Sequence, residues 1–387
     1  MAQALLSKER PASTGDAAAM LRAASEEGSR VRCEGGGTKI AWGRPTAAPD
    51  LVVSTGGLAR TVEHNVGDLT AVVEAGVPLA RAQEEFAAKG QMLALDPPET
   101  DASTIGGVIA TGDSGPLRHR FGAGRDLVIG IKVALADGTV ARAGGKVIKN
   151  VAGYDLAKLF SGSFGTLGLI AEVALRLHPR PAGTATAVLR GGDADAVAAA
   201  AARLSHAPLE ELALDVAWDN GRGAVLCRFG GATPREQAEA ALREGRKVTG
   251  LAEEIHDDDE ELWREQRARQ RSERGMVVRV SGLQSRLAEI LRAAERHGAT
   301  LAGRAGSGLC WLGLEGREAA ELVAAVADLR RELEPLPCVV LDAPEEVRAA
   351  LDPWGPVDDR TLALMRRVKQ RFDPQGSCNP GIFVGGI

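Results

Sequence analysis

Val31-Arg32-Cys33-Glu34-Gly35-Gly36-Gly37-Thr38-Lys39 and, further along, Ser103-Thr104-Ile105-Gly106-Gly107-Val108-Ile109-Ala110-Thr111-Gly112 are the two stretches that decide the reading of this chain. In the first, a short strand at 31–33 runs directly into three glycines. A pyrophosphate needs backbone N–H donors at close range, and Cβ atoms obstruct that approach. Three consecutive glycines remove the obstruction and permit positive φ, which can form a concave anion nest. Thr38 adds a hydroxyl and Lys39 a charge. Taken alone, Gly35, Gly36 and Gly37 fit a plain tight turn equally well. In the second stretch Ser103 and Thr104 supply hydroxyls, while Gly106 and Gly107 expose backbone. A short helix starting there would aim its positive end at a phosphate. Together the turns suggest a ligand with two phosphates, held from two sides.

Two other phosphate-binding patterns do not fit. The nicotinamide-dinucleotide fingerprint needs Gly-x-Gly-x-x-Gly at the opening of a helix, but residues 40–49 contain Pro45 and Pro49 and do not read as one. The nucleoside-triphosphate loop, Gly-x-x-x-x-Gly-Lys-Ser/Thr, is absent.

Outward from the turns, residues 16–27 read as a helix ended by Gly28. Residues 51–54 form a strand, and 61–65 and 69–74 form a strand pair around Gly67-Asp68. Residues 78–89 make an amphipathic helix, and Asp96-Pro97-Pro98 breaks the chain. A hairpin covers 128–143 with its turn at Asp137-Gly138. Residues 149–156 and 162–170 read either as a loop with a helix cap or as a wall for a flat cofactor. A strand at 169–178 is closed by Pro179-Arg180-Pro181, the first domain boundary. Beyond it, helices are expected at 194–204, 234–249, 285–297 and 317–333. Strands are expected at 212–218, 223–229, 276–280, 309–314 and 339–341. This alternation suits an α+β layer with helices on one sheet face. A last helix covers 358–371. No repeat of fixed period is visible.

The bulk properties narrow the function classes. The chain has 387 residues and a net charge of −5, with its basic residues scattered rather than gathered into a nucleic-acid stripe. It has one tyrosine, Tyr154, so base-stacking platforms are not expected. No apolar run is long enough to span a bilayer, and the first ten residues lack an apolar signal core. A cytoplasmic location follows by default. Cys33, Cys227, Cys310, Cys338 and Cys378 are dispersed, with no Cys-x-x-Cys pair. A zinc ribbon, an iron–sulfur cluster held by this chain or a disulfide framework is therefore not expected.

The order of motifs is specific: Gly-Gly-Gly-Thr, Asp-Pro-Pro, Ser-Thr-Ile-Gly-Gly, Asp-Gly, Gly153-Tyr154-Asp155-Leu156, Gly162-Ser163-Phe164-Gly165-Thr166-Leu167-Gly168, and a terminal Asn379-Pro380-Gly381. It resembles the PCMH-type FAD-binding fold of the vanillyl-alcohol oxidase superfamily, and within it the E subunits of bacterial glycolate oxidases. Residues 115–122 and 150–169 carry the closest likeness. The resemblance is strong over about 30–180, weak over 181–345, and returns at 365–383. It implies an α+β chain with a two-subdomain FAD-binding domain at 1–180. A short α+β cap domain with an antiparallel sheet would follow at 181–345, and a C-terminal segment at 346–387 would return to the flavin domain.

Carried over residue by residue, the resemblance places Gly35, Gly36, Gly37, Thr38 and Lys39 on the pyrophosphate of FAD. Pro97, Ser103, Thr104, Gly106, Gly107, Ala110 and Thr111 would line the phosphates and flavin. Ile170 would touch the cofactor through its backbone. Asn379 would approach the flavin edge or would simply form the turn before Pro380. Some relatives attach the flavin through a histidine in the first glycine loop; here that loop has Thr38. His64 and His119 are the remaining formal candidates, and non-covalent FAD is expected.

Oxidation of a 2-hydroxy acid also needs a base or metal for the hydroxyl proton and cations for the carboxylate. His206, His256 and His297, the histidines beyond Pro181, are isolated and read as surface residues; no metal site is expected. Phe164 stands where catalytic relatives of the glycolate oxidase D subunit type carry Glu. Arg118, Arg120 and Arg125 are either ordinary surface ion pairs or a cluster that holds a carboxylate or stabilises reduced flavin. The acidic run 257–261, followed by Arg264, Arg267, Arg269, Arg271 and Arg274, reads as a solvated helix by default, with a partner docking face as the sharper alternative. Trp263 and Trp311 are expected to pack.

The resemblance thus implies an FAD-binding subunit that supports glycolate oxidation to glyoxylate without completing the catalytic site alone. Its expected partners are a catalytic D-type flavoprotein subunit and an iron–sulfur subunit, with peripheral association at the inner membrane through that complex. The alternatives are a self-sufficient FAD-dependent 2-hydroxy-acid dehydrogenase and a non-catalytic assembly subunit with a vestigial FAD site.

Overall fold

A computed structural model describes residues 7–99, 101–146 and 155–387. The Gly-Tyr-Asp-Leu motif falls largely outside them, as does the first part of the N-terminal stretch. The chain divides into two compact units. The first gathers residues up to 114, 122–180 and 357–387; the second gathers 115–121 and 181–356.

In the first unit three parallel strands carry the glycine turn. Leu51–Ser54 lies between Ser7–Glu9 and Val31–Glu34, with Val31 opposite Leu51. Helix Thr14–Glu26 is started by Ser13, whose hydroxyl accepts from the Asp16 N–H at 3.1 Å, and it buries Ala17, Ala18, Leu21 and Ala24. That spacing is one apolar helical face, and it packs with Val31, Val53 and Leu169. The second layer is a five-stranded antiparallel sheet in the order Thr61–Asn65, Thr70–Glu74, Leu169–Arg176, Val128–Ala134, Val140–Gly144. Its central strand Leu169–Arg176 starts at the cavity described below. Helix Asp359–Phe372 has no fully buried residue. It is fixed instead by Lys369, whose ammonium donates to the carbonyls of Thr166 at 2.7 Å and Cys378 at 2.9 Å.

The second unit is built on an eight-stranded antiparallel sheet. Its order is Ala252–His256, Thr184–Gly191, Arg222–Gly230, Ala213–Asp219, Thr300–Arg304, Leu309–Leu314, Met276–Ser281, Cys338–Val340. Chain order makes this two successive strand–helix–strand–strand–helix–strand halves, 184–256 and 276–340, joined edge to edge between Ala213–Asp219 and Thr300–Arg304. The repeat is one of topology and leaves no fixed-period trace in the sequence. Helices Ala194–Ser205, Pro234–Gly245, Leu287–Arg296 and Ala319–Glu332 bury their apolar faces against Leu214, Val216, Trp218 and Leu312.

The expectation of helices on one face only needs correction. Helix Glu260–Ala268, from the charged run, lies on the other face. Trp263 is fully buried there with Val188, Ala213, Ala224 and Leu226, and its indole N–H donates to Thr186 Oγ1 at 2.8 Å. Asp259 is buried too and accepts from Thr184, Thr186 and Arg228. The run is therefore not a simply solvated helix, because Asp259, Trp263 and Gln266 are buried against that face of the sheet. Among the described residues no helix is long and apolar enough to cross a membrane.

Candidate functional site

The strand Val31–Glu34 ends at a cavity of about 310 Å³ inside the first unit. Its wall includes Gly35, Gly36, Gly37, Thr38, Lys39, Thr104, Gly106, Gly107, Ala110, Thr111, Ile170 and Asn379. Ser103, buried against Thr38, and Pro97, also buried, are not part of that wall. The structure thus brings most of the sequence-predicted residues onto one surface.

The two turns interlock. A Cβ on Gly35 would sit 2.2 Å from Thr104 Oγ1, and one on Gly36 would sit 1.8 Å from the Ala102 carbonyl oxygen. These glycines are needed first for loop against loop. Gly37 is different: it has φ +75° and open space around it. Among the described residues, the Gly35, Gly36 and Gly37 amides donate to no protein acceptor. They are the unspent N–H groups that an anion in the cavity requires.

The second turn departs from expectation. Helix Ile105–Thr111 does start there, capped by Thr104. Its leading amides are already spent: Ile105 donates to Val77 O at 3.0 Å, Gly106 to Ala75 O at 2.8 Å, and Gly107 to Thr104 Oγ1 at 3.2 Å. The Thr111 hydroxyl donates back to Gly107 O at 2.9 Å. No amide of this first turn is left to meet a phosphate. This second glycine turn supplies shape and wall, and the turn at Gly35, Gly36 and Gly37 supplies donors.

Lys39 is also placed differently from a freely reaching cation. Its side chain is 4 % exposed, as is that of Asp113, and Nζ lies 3.2 Å from Asp113 Oδ2. Nζ also donates to Thr38 Oγ1 at 3.1 Å and Ser103 Oγ at 3.2 Å. Asp113 was not among the predicted residues. The only signal for it was its position just beyond the second glycine turn.

The C-terminal turn closes the opposite wall. Asn379 has φ +42° and uses both ends of its amide: Oδ1 accepts from Cys33 N–H at 2.7 Å, and Nδ2 donates to Phe164 O at 2.6 Å. It is a turn former that also ties the glycine strand to the Gly-Ser-Phe-Gly turn. Phe164 itself has φ +56°, donates its N–H to Ala110 O at 2.8 Å and stacks at a tilt on Phe383, centroids 5.5 Å apart. Sequence reasoning missed Asp373, which is buried and accepts from Ser377 N–H, Cys378 N–H and Lys369. Its signal was Phe372-Asp373-Pro374 before the terminal turn. Arg30, Arg32 and Thr46 also belong to the wall and had no motif to announce them.

The cysteines are free thiols. Cys33 is half-buried at the cavity, and Cys378 is buried beside it, its thiol held well above the usual range by the hydrogen bond with Cys33 and by burial. Burial pushes the Cys310 thiol up to about 12.

The remaining candidates lie elsewhere. His64 pairs with Gln91 Oε1 at 2.8 Å and meets Phe86 edge-on; His119 pairs with Glu211 at 3.0 Å. His206 lies against Ala202 O, His256 against Glu254, and His297 against Glu332. Arg118 and Arg120 belong to the second unit and Arg125 to the first. Arg120 faces Glu210 at 3.7 Å and Arg125 faces Asp126 at 3.8 Å, both as exposed pairs.

A glycine nest with unspent amides, apolar walls at Val108, Leu169 and Ile382, and a volume of this order fit a flat ring system joined to a diphosphate. Comparison with known proteins agrees. Residues 9–144 match the family described as FAD binding domain, and residues 356–382 match the C-terminal domain of FAD linked oxidases. The chain is 36% identical over 171 residues to glycolate oxidase subunit GlcD of Bacillus subtilis, covering 44% of this chain and 36% of that protein. It is 36% identical over 149 residues to glycolate oxidase subunit GlcE of Escherichia coli, covering 38% and 42%. The chain thus spans well under half the length of the curated relatives it matches. An alkyldihydroxyacetonephosphate synthase structure superposes with a TM-score of 0.71 at 14% identity, over 96% of this chain and 75% of that one. That likeness shows a shared fold.

Proposed function

We propose, from the premise that this chain carries the FAD binding domain and C-terminal segment of the FAD-linked oxidoreductases, that it is the FAD-binding subunit of a glycolate or other 2-hydroxy-acid oxidase complex. FAD is the cofactor of that domain. The observation that carries the reading is the set of unspent Gly35, Gly36 and Gly37 amides at the wall of the cavity.

Those amides, with the Thr38 hydroxyl, hold the diphosphate; Thr104, Gly106, Gly107, Ala110, Thr111 and Ile170 shape the walls for the rest of the cofactor. Asn379 holds the glycine strand and the Phe164 turn at a fixed spacing. FAD, when bound, supplies a two-electron acceptor for oxidation of glycolate to glyoxylate. Binding is non-covalent, in keeping with the side-chain pairings of His64 and His119 away from the wall.

The chain supports electron transfer and relies on a catalytic D-type flavoprotein subunit for substrate oxidation, with an iron–sulfur subunit carrying electrons onward. Two features favour this division. No histidine is among the described residues of the cavity wall, and Phe164 occupies the Gly-Ser-x-Gly position. The complex associates with the inner membrane from the cytoplasmic side.

Purification followed by an absorbance spectrum and anaerobic mixing with glycolate tests the reading. The expected result is a yellow protein whose flavin bleaches only when its co-purifying partners are present. Bleaching of the isolated chain would make it a self-sufficient dehydrogenase. A colourless protein that takes up no added FAD would overturn the proposal in favour of an assembly subunit.

A further inference from the structure

We infer that Asp113 is an internal counter-charge that withholds Lys39 from the cofactor's phosphates, so that the nest binds a dianionic ligand through uncharged amides. The inference rests on the reading that this cavity takes FAD.

Lys39 directly follows the glycine turn and Thr38, where a cation would be expected to neutralise phosphate. Its ammonium donates to Thr38 Oγ1 at 3.1 Å and to Ser103 Oγ at 3.2 Å, and it stands 3.2 Å from Asp113 Oδ2 as an ion pair without a hydrogen bond. The Trp42 ring lies 5.8 Å from Nζ. On the other side, Asp113 Oδ1 accepts from Ser114 N–H at 2.9 Å. With both side chains 4 % exposed, neither charge is solvated well enough to stand without the other. To reach a phosphate, Lys39 would have to abandon a buried carboxylate, leaving that charge without compensation.

The arrangement has a clear physical use. The ammonium binds the first turn to Ser103 of the second, fixing the spacing of the interlocked loops before any ligand arrives. The carboxylate cancels its charge. With Arg30 paired to Asp50 and Arg32 to Glu34 as well, the wall is close to neutral, and it selects for shape and for acceptor oxygens rather than for net charge. Lys39 and Asp113 are positioning residues.

The test is titration of the full-length apo chain with FAD, followed by fluorescence, at about 50 mM and about 500 mM KCl, a range over which the screening length falls severalfold. The parent Kd is expected to change by less than about twofold. In Asp113→Asn the uncompensated Lys39 charge is expected to tighten binding about tenfold at low salt, with most of the gain lost at high salt. A parent Kd that rises about tenfold across the range overturns the inference. So does a folded Asp113→Asn variant with the parent's Kd and salt response. Should that variant fail to fold, the parent series alone decides. A parent that binds no FAD at either salt overturns the functional reading itself, and a parent that binds with a steep salt response overturns only the counter-charge.

Discussion

In the first unit the buried pair Lys39–Asp113 stands at the wall of a cavity; in the second, Arg304 and Asp215 stand on central strands of the eight-stranded sheet, both side chains fully buried, 2.5 Å apart. Arg304 lies opposite Asp215 across the junction of the two halves of the eight-stranded sheet, with its guanidinium 4.8 Å over the Trp311 ring. Gln266 donates to Asp215 Oδ2 at 3.0 Å, and Gln270 accepts from Arg304. Burial nonetheless pushes the Asp215 carboxyl up, outweighing the pull of Arg304 and Gln266. One pair holds loops around empty space. The other fills space between strands. The same interaction therefore carries different obligations, and substitutions can separate them.

The largest effect is expected in the sheet. Asp215→Ala leaves the Arg304 guanidinium buried without its partner and should cost about 3–5 kcal/mol, read from urea unfolding. Replacing both residues with apolar ones, Asp215→Leu with Arg304→Met, should return the chain to within about 2 kcal/mol of the parent. A double variant as unstable as the single one would mean that the pair specifies how the two halves join.

In the loops the expected loss is of ligand. The backbone oxygen of Ala102 stands 1.8 Å from a Cβ at Gly36, so Gly36→Ala must push the two turns apart. FAD affinity should fall by about a hundredfold, or about 2.7 kcal/mol. Gly37→Ala meets no atom within 4 Å and suffers only from its φ of +75°, so it should cost about 1–2 kcal/mol, mostly in stability. Titration of both variants with FAD checks the order. Equal losses would show that donor geometry, rather than loop spacing, sets the affinity.

The two units also differed in how readily sequence disclosed them. Leu51–Ser54, Thr61–Asn65 and Leu309–Leu314 fall where alternation and turn residues place them, and the first glycine turn follows its strand as read. Three strands of the second unit escaped. Ala252–His256 is an edge strand bearing two glutamates, and charge is how edges resist further pairing. Thr300–Arg304 contains Gly303 and a fully buried arginine, neither of which suggests a central strand. Thr184–Gly191 buries Ala185, Thr186 and Ala187 before Val188 and Leu189, so no apolar alternation marks it. Without these three, the doubled topology stayed hidden. At the site, the residue types were legible because an anion nest needs glycine. Which amides remain unspent was not, because Ala75 and Val77 accept from the second turn through contacts distant in sequence.

Asn379 tests whether the first unit depends on its chain terminus. Asn379→Ala removes the acceptor for Cys33 N–H and the donor to Phe164 O, and it puts Ala, which tolerates the left-handed region less well than Asn, at φ +42°. A loss of about 2 kcal/mol in stability is expected, with weaker FAD binding. Asn379→Gly accommodates the dihedral but still lacks both bonds. If Gly restores stability without affinity, the backbone angle governs folding and the two hydrogen bonds govern the cavity.

The smallest effect belongs to a half-exposed charge pair of the same unit, Arg30 of the cavity wall with Asp50. Arg30 donates its backbone N–H and Nε to Asp50 Oδ2 at 2.8 and 3.1 Å and its Nη2 to Oδ1 at 3.0 Å. These bonds hold the Asp50 carboxyl down at about 2. A carboxyl depressed in the folded state stabilises above its unfolded pKa, about 3.9, and that contribution disappears as pH falls through the folded value. Asp50→Asn should therefore be slightly less stable than the parent at neutral pH, and the two should converge as pH falls from about 4 to about 2. Solvent screens this pair, unlike Lys39–Asp113, so high salt should narrow the gap at pH 7. Thermal unfolding of parent and variant across pH and salt measures both trends. A gap that persists at pH 2, or that ignores salt, would mean that Asp50 acts through the backbone bond to Arg30 and not through its charge.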